Sequence, residues 1–425
     1  VYNQKKLNQR LNEDEDCVSN LYLDNGYLFF NMQPFETNIV GDSIDMEIRI
    51  MEGRQATINR VNIEGSEYLY EHVVRRELYT KPGQLYSQSD IMRSLRELAQ
   101  MGHFDQEKLV PDIQPNPEDG TVDITYQLET KSSDQIEFSL GWGATGLVGS
   151  LGLKFTNFAI QNLFNPKSYR IVPQGEGQTF SINARTSGVY YTSASISFLE
   201  PWLGGKRPNS LSASVFFASQ TGYSDRYYKA YQNLYNTYYN YYSYSGQSDY
   251  YQQLQESEAD PEKYLRTFGV SVGYGKRLSW PDDYFSIYGE LSYRHYSLQN
   301  WSYLDISDGH ANNLSLSATW SRNSLDNPYY TRRGSKFSIM AQLTPPYSLF
   351  KDNSRVDDLV TRYRNGNKEL EHRGLTDAEY YDMQQELYNW VEYYKFELKG
   401  QTFTPLTPDQ KLVLMTRLEY GFLGY

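Results

Sequence analysis

From Ser132 onward the chain alternates, with large apolar side chains at every second position and small, polar or charged ones between them. About eleven segments do this. Ile136, Phe138, Leu140 and Trp142 alternate with Glu137, Ser139, Gly141 and Gly143, and Leu314, Leu316, Ala318 and Trp320 alternate with Ser315, Ser317, Thr319 and Ser321. A period of two sends the two sets to opposite faces of a strand. The segments have the length of tilted membrane strands, roughly 9–11 residues. Lys154, Arg185, Arg417 and Glu419 lie mid-strand opposite apolar faces. A soluble sandwich also alternates, but it seldom takes so many charges into its strands, whereas a wet lumen tolerates them. The expectation for 133–425 is an all-β antiparallel transmembrane barrel.

The remaining bulk properties agree. The chain has no run of about eighteen apolar residues that would make a spanning helix, and Val1 does not open a signal peptide. It begins inside a helical pattern, "NQKKLNQRLNEDED", as a trimmed or mature fragment would. Tyrosine is abundant at 41 residues, while Cys17 is the lone cysteine and can form neither an internal disulfide nor a multi-cysteine metal site. A net charge of -12 argues against nucleic acid as the main partner. His72, His103, His295, His310 and His372 show no metal spacing, and no G-x-S-x-G motif marks a hydrolase. No catalytic residue, cofactor or metal is expected, so the chain reads as a non-enzyme.

Before Ser132 the period is mixed. "EHVVRRELY" and "SQSDIMRSLRELAQMG" carry helical spacing, with Ile91, Leu95, Leu98 and Met101 on one face and Gly102 as the stop. Strand-like runs surround them in the order strand, helix, helix, strand, strand, giving a complete α+β module at 54–131. The segment 1–53 repeats the later part of that order: "DSIDMEIRIMEG" aligns with "GTVDITYQLETK", and a helix stop at Gly26 mirrors the one at Gly102. It reads as a partial copy.

Connection lengths orient the barrel. Junctions after even-numbered segments are short and turn-rich, including "EPWLGGKRPNS" and "NPYYTRRGS". The long insertions, 223–265 and 351–388, fall only after odd-numbered ones. Short turns belong on the periplasmic side and long loops outside, which makes both insertions extracellular and the N-terminal modules periplasmic.

In this setting the chain resembles the BamA family of outer-membrane protein assembly factors, along essentially its whole length. The modules resemble POTRA domains: Val74, Arg75, Arg76 and Glu77, followed by Leu95 and by Met101-Gly102-His103-Phe104, are similar to the family's I-R-R-E…L…L-G-Y-F run. "GWGATGLVGSLGLKFTNFAIQNLFNP" resembles the family's first barrel hairpin. Asp326, Asn327, Pro328 and Gly334 resemble a D-N-P-x-x-P-x-x-G turn, with Thr331 where proline is common. Family barrels have about sixteen strands and an R-G-F motif in a late external loop, so the resemblance implies a chain shortened at both ends.

The resemblance also implies a function, that of the central insertase of the outer-membrane β-barrel assembly machinery (BAM complex) in Gram-negative bacteria. Its partners would be nascent outer-membrane proteins, membrane lipid and accessory periplasmic lipoproteins of the BamD type. In the family the first strand, Gln135 to Ala144, faces the last across a lateral seam. Gln135, Ile136, Phe138, Leu140, Gly141, Trp142 and Gly143 are its expected residues, although the glycines also suit lumen packing or a short first loop. A family-like sheet order leaves the middle module strands at an edge, marked by Leu28, Phe29 and Phe30 in the first copy and by Lys108, Leu109 and Val110 in the second. These suit β-augmentation or simple solvation. Arg75, Arg76, Arg93 and Arg96 suit a partner-docking face or a solvated one with local ion pairs. In the first insertion, Tyr231, Tyr235, Tyr238, Tyr239, Tyr241, Tyr242 and Tyr250 suit an extracellular platform for another protein or a self-packed lid. Two other readings keep parts of this architecture: a related POTRA-barrel transporter that secretes a soluble partner, and a passive porin-like channel.

Overall fold

The computed structural model describes residues 3–13, 17–41, 43–143, 146–223, 259–301, 304, 306–327, 330–349, 354–367, 372–407 and 410–424. They form two compact units. The first holds 1–133 with 156–177 and 326–330, and the second holds 134–155, 178–325 and 331–425.

The first unit opens with helix α1 (Gln4–Asn8), which runs into a π-helical turn at Gln9–Glu13, and then α2 (Val18–Asp24). Buried Cys17 is the N-cap of α2, its sulfur accepting from the Asn20 N–H. A hairpin of β1 (Asn31–Val40) and β2 (Ser43–Met51) follows. The complete module then runs β3 (Thr57–Glu64), α3 (Glu71–Arg75), α4 (Gln88–Met101), β4 (Val110–Asn116) and β5 (Thr121–Gln127). Its sheet order is β3-β5-β4, with β3 parallel and β4 antiparallel to β5. Helix α4 forms where the apolar spacing demands it. The Ser87 side chain accepts from the Asp90 N–H at its start, and Gly102 ends it at φ 75°. Its inner face brings Ile91 and Leu98 onto Val122, Ile124 and Tyr126 of β5, with Val73, Val74, Tyr86 and Phe104 completing one core.

The 17–53 segment is tied directly to the complete module. Leu23, Leu28 and Phe29 pack against that core. The Asp24 carboxylate accepts from the Ser89 N–H at the start of α4, and the Ala56 N–H donates to the Gly26 carbonyl. This corrects one expectation: Leu28, Phe29 and Phe30 are not an edge strand, because β1 starts only at Asn31. Leu28 and Phe29 are spent on the neighbouring core, and Phe30 stacks on Tyr22 with ring centroids 4.7 Å apart.

The second unit is an eleven-stranded sheet whose strands lie in simple sequence order. They are β6 (Gln135–Gly143), β7 (Gly146–Phe158), β8 (Gln178–Ser187), β9 (Tyr191–Glu200), β10 (Asn209–Tyr223), β11 (Ala259–Arg277), β12 (Phe285–Gln299), β13 (Gly309–Asn323), β14 (Gly334–Leu343), β15 (Tyr394–Pro405) and β16 (Val413–Gly424). The alternation read from the sequence sorts onto two faces. Register places Ile136 opposite Leu153, Val215 opposite Val270 and Phe217 opposite Phe268 on the apolar one. On the other, serine hydroxyls pair across strands, as Ser139 with Ser150, Ser214 with Ser271 and Ser292 with Ser315. Between β14 and β15, helices α5 (Ser354–Asn365) and α6 (Asp377–Tyr388) make a hairpin with its own small core of Leu359, Leu375 and Met383. Among the described residues no helix is long and apolar enough to cross a membrane, which says nothing of crossing by strands.

Two predictions follow from the module's geometry. A Cβ at Gly65, which sits at φ 83°, would overlap the Leu128 carbonyl oxygen, whereas Gly102 at φ 75° has open space around it. Gly102→Ala should therefore cost only the left-handed penalty of about 1 kcal/mol, and Gly65→Ala at least about 3 kcal/mol once the overlap is added. Hydrogen-exchange protection of the β5 amides in urea measures both. Burial, aided by the charge of Asp24, pushes the Tyr86 hydroxyl up to about 12. The folded module keeps this proton while the unfolded chain loses it near 10. Tyr86 therefore contributes its full stability below about pH 10 and loses it as pH rises towards about 12. Tyr86→Phe should remove that part of the alkaline sensitivity.

Candidate functional site

Strand β6 lies at one end of the eleven-stranded sheet and, among the described residues, pairs along one side only, with β7. Its apolar face is the most open in the unit: Ile136 is 66% exposed, Phe138 70%, Leu140 63% and Trp142 83%. Gln135, Glu137, Ser139 and Gly141 share the other face, where Glu137 borders an open groove of about 410 Å³ of mixed lining that includes Asn183, Arg185, Leu151 and Phe216. A Cβ on Gly141 would meet nothing within 4 Å, so packing does not require glycine there. Gly149 and Gly152 on β7 differ, since a Cβ would press on the Ser139 carbonyl and the Asn183 side chain respectively.

The complete module offers a second open edge. One flank of β3 is occupied: the Ile58 N–H donates to the Gln84 carbonyl, and Arg75 Nη1 donates to the Val61 carbonyl at 3.1 Å. Strand β4 is the outer strand on the opposite side, with Val110 58% exposed. Here too the expected boundary shifts. Lys108 and Leu109 precede the strand: Lys108 ends a 3-10 turn and Leu109 packs against the module core. Lys108 pairs with Glu129 at 2.6 Å, a contact that holds its ammonium above the ordinary lysine pKa.

Three of the four arginines are engaged by different neighbours. Arg75 pairs with Glu71 across one helical turn while reaching the Val61 carbonyl. Arg76 donates to the Glu176 carbonyl, and the Arg93 guanidinium lies 4.3 Å from the Tyr79 ring centroid. Arg96 is half-buried on α4. Arg76 leads to a contact the sequence reading missed. Residues 156–177 lie in the same compact unit as the module and grip its 66–76 segment. Buried Asn157 donates to the Tyr68 carbonyl at 2.6 Å and accepts from the Gly175 and Gly177 N–H groups. The Tyr70 N–H donates to the Gly175 carbonyl, and Asn162 donates to the Tyr70 hydroxyl at 2.7 Å. "QGEGQ" was the available signal, because both its glycines lie at positive φ.

Tyr231, Tyr235, Tyr238, Tyr239, Tyr241, Tyr242 and Tyr250 lie outside the described residues, as does most of the first insertion. The helical part of the second is well defined. Arg362 pairs with Glu379 and Arg355 with Asp382, both at 2.9 Å, and Gln385 and Asn389 bond to β13 at His310 and Asn312. In the Thr376–Glu379 capping box, the Thr376 N–H, Arg362 and the Thr376 hydroxyl hold the Glu379 carboxyl down at about 2.

Comparison with known proteins places this architecture. The Omp85 superfamily domain matches residues 174–425, and the POTRA domain described as a surface antigen variable number repeat matches 56–131. The chain belongs to the Omp85 superfamily. It is 26% identical over 191 residues to a putative outer membrane protein assembly factor of Treponema pallidum, covering 44% of this chain and 21% of that protein. It is 29% identical over 182 residues to the outer membrane protein assembly factor BamA of Neisseria meningitidis serogroup B, covering 42% of this chain and 20% of that protein. The matched region thus spans about a fifth of the length of these curated relatives. In fold, the crystal structure of Haemophilus ducreyi BamA lacking POTRA domains 1–3 aligns over 99% of this chain and 65% of that one, with a TM-score of 0.52 and 18% identity.

Two substitutions separate packing from edge exposure. Leu109→Asp buries a charge against the module core and should cost at least about 2 kcal/mol; Val110→Asp, on the open edge, should stay within about 0.5 kcal/mol. Hydrogen exchange of the β5 amides tests the pair. For the helical hairpin, the depressed Glu379 carboxyl stabilises the fold fully above about 4.5 and loses that contribution as pH falls towards about 2. Helix content of the hairpin should fall across that window, and Glu379→Gln should flatten the dependence.

Proposed function

We propose that this chain is the core of an insertase of the outer-membrane β-barrel assembly machinery, placing nascent β-strands in the bilayer without covalent catalysis. The observation that carries the reading is the open apolar face of β6, which with β16 is one of the two end strands of the sheet. In hydrocarbon every unpaired backbone N–H or C=O costs several kcal/mol. A client strand that pairs with β6 first carries its amides into lipid already satisfied, which is β-augmentation used to lower a barrier. The vacant space at Gly141 supports an edge kept weak, because glycine lowers strand pairing there without being needed for packing.

The same reading assigns the outer membrane as location, with the modules in the periplasm. It assigns nascent outer-membrane proteins as clients and accessory periplasmic lipoproteins as partners of the β4 edge. The relatives named as assembly factors support it, as does the POTRA module directly preceding the barrel.

The test is depletion in cells combined with site-directed cross-linking from Ser139→Cys to client strands. General loss of outer-membrane proteins, with client cross-links at β6, is the expected outcome. Loss of one secreted protein alone would mark a transporter, and loss of solute uptake alone a channel. Gly141→Val should fold normally and slow client assembly about fivefold, the kinetic equivalent of a strand-propensity gain near 1 kcal/mol. An unchanged assembly rate would remove the weak-edge element.

A further inference from the structure

Two histidines from neighbouring strands meet on the eleven-stranded sheet. Register pairs His295 of β12 with Asn312 of β13 and Ser297 with His310, so His295 and His310 are diagonal neighbours on one face. Their ring centroids lie 5.9 Å apart, with the planes inclined at 32°. No local spacing announces the pair, because the antiparallel ladder is what brings it together.

Hydrogen bonds around buried Asn312 decide which nitrogen of His295 is available. The Asn312 side chain comes within 3.2 Å of the Asn389 carbonyl oxygen, which can only accept, so the nearer atom is the amide nitrogen. The amide oxygen is therefore the atom 2.9 Å from His295 Nδ1 and 2.8 Å from the Tyr293 hydroxyl. It takes the Nδ1 proton, and the neutral imidazole keeps its lone pair on Nε2. Histidine ligates metals in this way, with its other ring nitrogen donating to an oxygen. Exposed His310 is fixed at its backbone: its N–H donates to Gln385 Oε1 at 2.9 Å, and its carbonyl accepts from Gln385 Nε2 at 2.7 Å.

The donor set selects the ion. Among the described residues no group of three or more His, Cys, Asp or Glu side chains is placed to hold a metal, so the pair does not offer the oxygen cage that Ca2+ needs. Two imidazole nitrogens with water in the remaining positions suit the Cu2+ and Ni2+ class, and Cu2+ binds tightest in that order. An imidazole nitrogen stands about 2.0 Å from its metal and roughly 1.1 Å from its ring centre, which puts two cis ligands about 4.5–5 Å apart, centre to centre. Closing the observed 5.9 Å by about 1 Å asks for a side-chain rotation at exposed His310. The cation opposite Ser297 on β11, Arg266, is already engaged over the Tyr264 ring, 4.2 Å from its centroid.

We propose that His295 and His310 form a two-histidine chelate for a divalent transition metal of the Cu2+ class, with Asn312 positioning the His295 ring. An ion there ties β12 to β13 beside the attachment of α6. The site lies on strands remote from β6 in the sheet order and does not depend on the insertase reading.

The intact chain, purified without a polyhistidine tag and placed in nanodiscs, tests this. It is titrated with CuCl2 against a chromophoric chelator and followed by electron paramagnetic resonance. The expected result is one Cu2+ per chain, with splitting from two nitrogens. His295→Gln and His310→Gln should each weaken binding by at least about tenfold and remove one nitrogen from the spectrum. His372→Gln, between α5 and α6, should leave both unchanged. Wild-type binding no tighter than that of the double variant His295→Gln/His310→Gln overturns the proposal, as does a spectrum with one nitrogen or none. Loss of binding in His372→Gln alone also overturns it, and so does displacement of Cu2+ by excess Ca2+, which would move the ion to carboxylates. If His295→Gln fails to fold, judged by near-ultraviolet circular dichroism, exposed His310→Gln decides the matter alone.

Discussion

A backbone amide in hydrocarbon has no water to bond to, and the barrel is organised around that fact. Each of the eleven strands pairs antiparallel with its neighbours in sequence order, so the ladder satisfies the backbone from β6 to β16. Simple order also means that side chains need only alternate. The apolar set faces outward, and hydroxyl pairs such as Ser286 with Ser321 bridge strands on the inner face. Among the described residues the two end strands, β6 and β16, each pair along one side only.

The POTRA module obeys the opposite economy. Its amides are solvated or paired within a small α+β layer, and its stability comes from one apolar core that includes Tyr126, Phe104 and Ile91. Two neighbouring segments lean on it. The 17–53 segment contributes Leu23, Leu28 and Phe29 to the core, and the 156–177 turn bonds to the module's 66–76 segment through Asn157 and Gly175. A helix exit on one side and a strand turn on the other are both fixed to the same body by directed hydrogen bonds, which are costly to leave unmade once buried.

Architecture was highly legible in the residues. Ile91, Leu98 and Gly102 announced α4, and the alternation at Ile136 to Trp142 announced β6, because both signals are periodic and local. The extended start after each helix stop misled: Leu28 to Phe30 and Lys108 to Leu109 look like strand, but their apolar side chains are recruited by a core assembled from distant segments. The arginines show the same limit. Arg75 keeps its local pair with Glu71, but it also reaches the Val61 carbonyl, and Arg76 donates to the Glu176 carbonyl far away in sequence.

By itself the sequence determined the sheet, its two faces and the order of the module. Each of these is written in side-chain period and turn chemistry, which act over a few residues. Only the tertiary structure decided where the arginines go, and that "NLFNPKSYRIVPQGEG" is a braced turn rather than a slack loop. Those outcomes depend on buried carbonyls and amides finding partners dozens of residues away, and no local pattern encodes that pairing.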